Sequence, residues 1–482
     1  MTIPRPARPT SISAMRGWSA FRHRNYRLFF GGQLVSLIGT WMQTVAQSWL
    51  VLSLTGDPLA LGLVAAAQFG PVLVLGLFGG LIADGLPKRR TLIATQASAM
   101  TLALVLAVLT ATHLVTVPIV FLLAFLLGVT NAIDMPTRQA FVIEMVGRED
   151  VGNAVALNSA MFNMARIAGP AVAGLTVELF GISLAFFLNG LSFLAVIAAY
   201  LVMDETQFHA RPRMPRPTTV REVRDNLAEG LSYVRRTEVV LLATIVIGLV
   251  STFAMNFNVL IPPFARDVLH TDAGGFGFLM AASGLGSLVA ALSIAFAGRT
   301  TPWVIAGGSL VLGLAEILVG STMSYAIALI GMFAAGAGAI AMAATVNTTM
   351  QLSVPDHLRG RVMSVYTTVF AGSTPIGGPL IGAVAAAFGP AFGLAAGGLV
   401  AALTGIGAAA WVARIRGRQG RRIVLPTNVA VESGGASPAD AARNPVSPPP
   451  SGGWGTRIAP RQPRQKIASS DPIRPPASTK GR

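Results

Sequence analysis

Gly80-Leu81-Ile82-Ala83-Asp84-Gly85-Leu86-Pro87-Lys88-Arg89-Arg90 is a short polar break between two long apolar runs, 59–83 and 91–111. Each run is long enough to cross a bilayer core as a helix, which takes ~20 mostly apolar residues. The break carries one acid and three adjacent bases, so it reads as a loop held at one membrane face. Outward in both directions the pattern repeats. Apolar runs fall at 28–54, 59–83, 91–111, 115–133, 154–179 and 182–203, then at 239–263, 273–297, 302–322, 325–346, 362–388 and 391–413. Twelve such runs in series are not the buried helices of a soluble core.

Composition agrees. Of 482 residues, 53% are hydrophobic and 12% charged, against about 25% charged in ordinary soluble domains. Cysteine is absent, which excludes disulfide scaffolds, Cys-ligated zinc, haem attachment and thiol nucleophiles. Five histidines leave little room for a metal site, and no metal or cofactor is expected. The first apolar run is too long for the ~7–15-residue core of a signal peptide, so it reads as a retained span.

The fold class expected is all-α, a polytopic membrane protein of twelve transmembrane helices in two six-helix halves, 28–203 and 239–413. Residues 1–27 form a basic N-terminal segment. The central loop, 204–238, is polar and charged, and Val220 to Arg236 within it reads as an interfacial helix. Residues 414–482 are proline-rich and poor in large apolar side chains, too polar to bury a core, and read as a disordered tail.

The bases set the orientation. With the N-terminus inside, 34 of 36 Lys and Arg fall on one side, as expected of cytoplasmic loops. The two others are Arg166, within the fifth span, and Arg266, in an outer loop. The expected location is therefore the bacterial cytoplasmic membrane, with both termini cytoplasmic. The net charge of +16 resides in the two termini. The basic tail lacks aromatic platforms for nucleic acid, and anionic lipid of the inner leaflet is the simpler partner, at ~1 kcal/mol per basic residue.

An internal repeat supports two halves. Gly169-Pro170-Ala171-Val172-Ala173-Gly174 lies in the fifth span and Gly378-Pro379-Leu380-Ile381-Gly382 in the eleventh. Those positions are equivalent in a six-plus-six repeat, a common transporter plan.

The opening stretch resembles the signature loop of the major facilitator superfamily, G-x-L-A-D-R-x-G-R-K/R. Gly80, Ala83, Asp84, Lys88 and Arg89 match it, while Gly85 and Pro87 stand where Arg and Gly are usual. Phe21 to Phe29, Leu54 to Gly62, Asp134 to Phe141 and Ala156 to Ser159 are similar to the efflux branch that includes the enterobactin exporter, the transmembrane secretion effectors. The resemblance covers roughly 20–415. It implies a gate in which Asp84, with Lys88, Arg89 and Arg90 nearby, meets the start of span eleven when the inside is shut. A carboxylate at a helix N-terminus gains ~0.3–1 kcal/mol from the dipole. Gly169, Pro170 and Gly174 resemble the exporters' G-P-x-x-G-G element, with Ala173 replacing a Gly. Proton-coupled members often carry an Arg in span four, where this chain has Ala124.

Polar groups at membrane depth complete the candidates, because ionisable residues there are costly. Arg166 shares a helix face with Asn163 and Ser159 by spacing, and can meet an anionic substrate group or a carboxylate. Asp134 and Arg138 lie four apart at the end of span four. Glu144 with Arg166, Glu178, and Glu316 in span nine are further coupling candidates; for Glu316 a structural pairing is expected. Gln33, Ser36, Thr40, Gln43, Thr44 and Gln47 form one stripe on span one, with Asn256 and Asn258 on span seven placed to face it. The expected function is secondary active transport: a small organic compound, a siderophore, metabolite or drug, exported by alternating access in a proton-driven antiport. The coupling ion expected is H+, and the protein is expected to be monomeric. No phosphate-binding loop G-x-x-x-x-G-K-[ST] supports direct use of ATP, and no catalytic constellation is expected. An importer, a lipid translocator or a non-transporting sensor of the same fold are the alternatives.

Overall fold

The computed structural model describes residues 18–209, 220–297, 299–419 and 425–426, with the side chains of 76–85 and a few near 220, 300 and 420 outside that description. The expectations for Gly80 and Asp84, for the start of the N-terminal segment and for the tail beyond 426 thus lie outside the described residues.

The apolar runs become helices: α1 (Arg24–Thr55), α2 (Pro58–Gly85), α3 (Lys88–Ala111), α4 (Val117–Phe180) and α5 (Ile182–Val202) in the first half. α6 (Val220–Arg236) covers the central loop. The second half holds α7 (Glu238–Phe253), α8 (Phe257–Asp267), α9 (Ala273–Ala297), α10 (Pro302–Ser321), α11 (Tyr325–Leu352), α12 (Asp356–Phe388) and α13 (Pro390–Gln419). A two-residue antiparallel pairing joins β1 (Arg299–Thr300) to β2 (Leu425–Pro426). Starts follow local chemistry. Asp57 accepts a bond from the Leu59 amide and Pro58 opens α2, the usual cap with proline in the first turn.

α4 is two crossings in one. Gly147, at φ 70° and ψ 180°, breaks its helical path, so the limbs on either side run as separate spans. The loop expected at 134–153 is largely helical on both sides of this break. Span seven shows the opposite departure: it is interrupted at 254–256 and continues as α8, which contains Pro262 and Pro263. With α4 counted twice and α7–α8 once, twelve crossings result. Among the described residues, ten stretches are long and apolar enough to span. α1, which holds three glutamines, is less apolar but packs in the same bundle.

The halves repeat one packing plan. α3 packs on α5 as α10 packs on α13, α2 on α4 as α9 on α11, and α1 on α5 as α7 on α13. The interface between halves obeys the same symmetry: α2 meets α12, and α4 meets α9. Side chains such as Val108, Leu122, Leu194 and Leu314 are exposed on the outer surface, as lipid-facing residues are in a protein whose solvent is hydrocarbon.

Candidate functional site

The end of the bundle that carries Lys88, Arg89, Arg138 and Arg361 is called the basic end below. Among the described residues, a group of close contacts that join the two halves lies toward the other end. Gly62 of α2 lies against the backbone of Gly378 and Pro379 in α12, and a Cβ on Gly382 would stand 2.8 Å from the Pro58 carbonyl. In the second pair of helices, a Cβ on Gly277 would stand 2.5 Å from the Pro170 carbonyl and one on Gly174 3.0 Å from the Gly274 Cα. Trp49 stacks on Phe276 with centroids 6.1 Å apart. Arg266 Nη1 donates to the Leu52 carbonyl at 3.2 Å. Backbone-to-backbone approach of this kind needs small residues on both sides. Pro170 and Gly174 take part directly by facing α9, while Gly169 fits beneath Trp41 of α1 within the first half.

At the basic end, the ion pairs among the described residues close within each half. Lys88 Nζ lies 2.7 Å from Glu144 Oε1. Arg89 donates to the Tyr200 and Leu201 carbonyls at 2.6 and 2.8 Å and pairs with Glu205. It thus caps the last turn of α5, where a cation is favoured by the dipole. Arg90 is exposed. Asp134 is buried and accepts from Thr95 Oγ1 and Gln96 Nε2, each at 2.8 Å, with Arg138 Nη2 3.4 Å away. His23 Nε2 lies 2.8 Å from Asp150 Oδ2. Hydrogen bonds from Ser19 and His23 hold the Asp150 carboxyl below its ordinary range. In the second half Arg361 pairs with Glu229 of α6, and Tyr233 donates to the Ser353 carbonyl at 3.1 Å. The interfacial helix is thus fastened to the base of α12.

Arg166 stands where these two regimes meet. Its guanidinium lies over the Trp41 ring, 5.9 Å from the centroid, a cation–π contact. Pro170 has no N–H, so the Arg166 carbonyl loses its partner four residues on. Gly284 of α9 packs there, where a Cβ would be 2.9 Å from that oxygen. Asn163, one turn away, donates to the Ser159 carbonyl at 2.8 Å. Glu144, considered from sequence as a partner of Arg166, belongs to Lys88 instead. Glu178 is exposed at the far end of α4.

The stripe on α1 divides. Gln43 accepts from Asn189 of α5, and Gln47 Nε2 donates to Gln68 of α2 at 3.2 Å. Gln33 is buried, with Oε1 unpartnered. Thr40 and Thr44 point less deeply and bond to carbonyls of their own helix at 2.9 and 3.0 Å. Asn256 closes the interruption of span seven by donating to the Thr252 carbonyl at 2.7 Å, and Asn258 Oδ1 is buried without a partner. The stripe and these asparagines are not brought into hydrogen-bond contact. Sequence reasoning missed Trp41, Gln68 and Asn189. The last two were visible as polar side chains set within apolar spans.

Known proteins extend the picture. The family described as transmembrane secretion effector matches residues 15–420. The staphyloferrin A transporter of Staphylococcus aureus is 24% identical over 75% of this chain and 90% of its own length. The multidrug efflux pump Tap of Mycolicibacterium fortuitum is 28% identical over 73% of this chain and 87% of its own. The fold is shared with a crystallised POT family transporter, at a TM-score of 0.67 and 12% identity, over 81% of this chain and 96% of that one. The chain is not an enzyme but a multi-pass membrane transporter, and it belongs to the transmembrane secretion effector family of the major facilitator superfamily.

Proposed function

We propose that this protein exports a small organic compound across the bacterial cytoplasmic membrane by alternating access, in exchange for protons. Both termini are cytoplasmic in this reading, since 34 of the 36 basic residues then lie inside as the positive-inside rule requires. The basic end is then the cytoplasmic end. The observation that carries the reading is the set of close contacts between the halves toward the outer end, from Gly62–Gly378 to Arg266–Leu52. We read a molecule held together at that end as inward-facing, the state in which an exporter collects its cargo. Arg166, over Trp41 and one turn from Asn163, offers a cation and an aromatic face to a substrate. Gln33, Thr40, Asn256 and Asn258 are candidates for further polar contacts. Asp84, Lys88, Arg89 and Arg90 are assigned to the inner gate. The relatives' printed substrates, a siderophore and multiple drugs, fit an amphipathic organic cargo.

The test compares a deletion strain with its complemented parent. Metabolites inside and outside the cells are profiled, and growth is scored against a panel of toxic compounds. Export predicts a compound retained in the deletion strain, or heightened sensitivity, reversed by the intact gene. No difference in either readout contradicts it.

A further inference from the structure

Glu316 has no structural partner. It is 1% exposed, and neither carboxyl oxygen makes a hydrogen bond. It lies five residues from the Ser321 end of α10, ~7 Å at the helical rise. The surfaces beside it are small or carbonyl-bearing. A Cβ on Gly397 of α13 would stand 3.4 Å from Glu316 Oε2 and 2.5 Å from the Phe253 carbonyl oxygen. Gly398 lies against the Glu316 side chain itself. Phe253 is the last residue of α7, where span seven breaks.

The surroundings hold no counter-ion. α10 has no other charged residue, and α9 and α11 have none. α7 has only Glu238, at its far end, and the bases of α13 begin at Arg414. On α8, Arg266 pairs with Asp267. A lone carboxylate shut in hydrocarbon costs far more than the neutral acid. The C-terminal end of α7 carries the negative pole of its helix dipole, which disfavours an anion further.

α8, beyond the break, packs on α1 and α2 of the other half and bonds to Leu52 through Arg266. It is therefore part of the closed end.

We infer that Glu316 binds and releases a proton, and that its protonation sets the angle of the break between α7 and α8. The neutral carboxyl stays in the slot that Gly397 leaves open beside the Phe253 carbonyl, and α8 stays seated on α1 and α2. When the proton leaves to water, the carboxylate is repelled by that carbonyl and draws water into the slot, and α8 lifts. The proton is taken from water and returned to water, so no other reactant is needed. As a coupling group the site rests on the export reading; as a hinge control it does not.

The test uses purified full-length protein without any transported compound. Amide hydrogen exchange over 257–267 is compared between the wild type and Glu316→Gln at matched pH, across roughly pH 5 to 9. Matched pH cancels the intrinsic dependence of exchange. The two should exchange alike in acid, and the wild type should become about tenfold faster at the alkaline end. Infrared difference spectra of the wild type alone should show a protonated carboxyl band lost over the same range. That measurement does not depend on the variant folding. A ratio that stays constant with pH, or a wild-type band that never titrates, overturns the inference. Failure to find an exported compound leaves this experiment unaffected.

Discussion

Arg166 is the residue on which the substrate reading turns. Its charge sits at membrane depth over an indole. Removing a charged hydrogen-bonding partner costs ~1.5–3 kcal/mol. Arg166→Ala is therefore expected to cut export about tenfold or more at unchanged membrane abundance, measured by efflux of the compound found in metabolite profiling. Wild-type efflux would remove it from the site. Asp134 makes a different prediction. Asp134→Ala leaves Thr95, Gln96 and Arg138 without their shared acceptor, and should destabilise the protein by about 2–3 kcal/mol, seen as a lower thermal midpoint. Asp150 gives the pH dependence. Its carboxyl is held down by Ser19 and His23, so the stabilisation is present above the unfolded-state value and lost as pH falls through the lower folded-state value. Acid should loosen the segment before α1, read by exchange at 19–27, and Asp150→Asn should show that looseness already at neutral pH. At this scale the charges were legible and their partners were not. Spacing put Asp134 near Arg138, but it gave no means of seeing that Thr95 and Gln96 reach it from another helix. Gln43 and Gln47 read as one wet face, yet Asn189 and Gln68 take them up because those lone polar side chains lie across the helix contacts.

Helices were legible where apolar length decided them and less so where a backbone conformation did. Gly147 is one case. Its positive φ ends one span and starts the next with hardly any loop, where the charged residues around it suggested a long polar connection. Three acids of that stretch are paired instead, Glu144 with Lys88, Asp150 with His23 and Asp134 with Arg138. Gly147→Ala should cost ~1–3 kcal/mol for the glycine-only backbone conformation alone, and the His209 ring, 3.1 Å from the added Cβ, leaves it little room. The break at 254–256 is the other case, since the hydropathy of span seven continues across it. Only Pro262, Pro263 and the two asparagines hinted at irregularity. The Gly-Pro repeat, by contrast, pointed to the right helices. α4 and α12, which carry it, each form an interface between halves, with α9 and α2 respectively. Gly62→Val should overpack the α2–α12 crossing, at about 1–3 kcal/mol. That is enough to shift the balance away from the outward-closed state by roughly tenfold, measurable as increased alkylation of a cysteine placed at Leu52.

The described residues of the two halves repeat one packing plan and join through α2 with α12 and α4 with α9. The twelve spans and the two halves were readable because a lipid solvent imposes a simple length rule. The state of closure was not, because it depends on contacts between residues hundreds of positions apart. The excess charge lies in the termini and bears on the proposed orientation rather than on cargo. The natural absence of cysteine makes the decisive experiment direct. Spin labels go at Gly152 and Gly360, where an added Cβ meets nothing within 4 Å, to report the basic end. A second pair at Leu114 and Met323, both exposed, reports the opposite end. Electron–electron distances are recorded across a pH series in lipid nanodiscs. Alternating access predicts two populations at each end, with the basic end closing as the opposite end opens. A single unchanged distance at both ends, or both ends opening together, would contradict it.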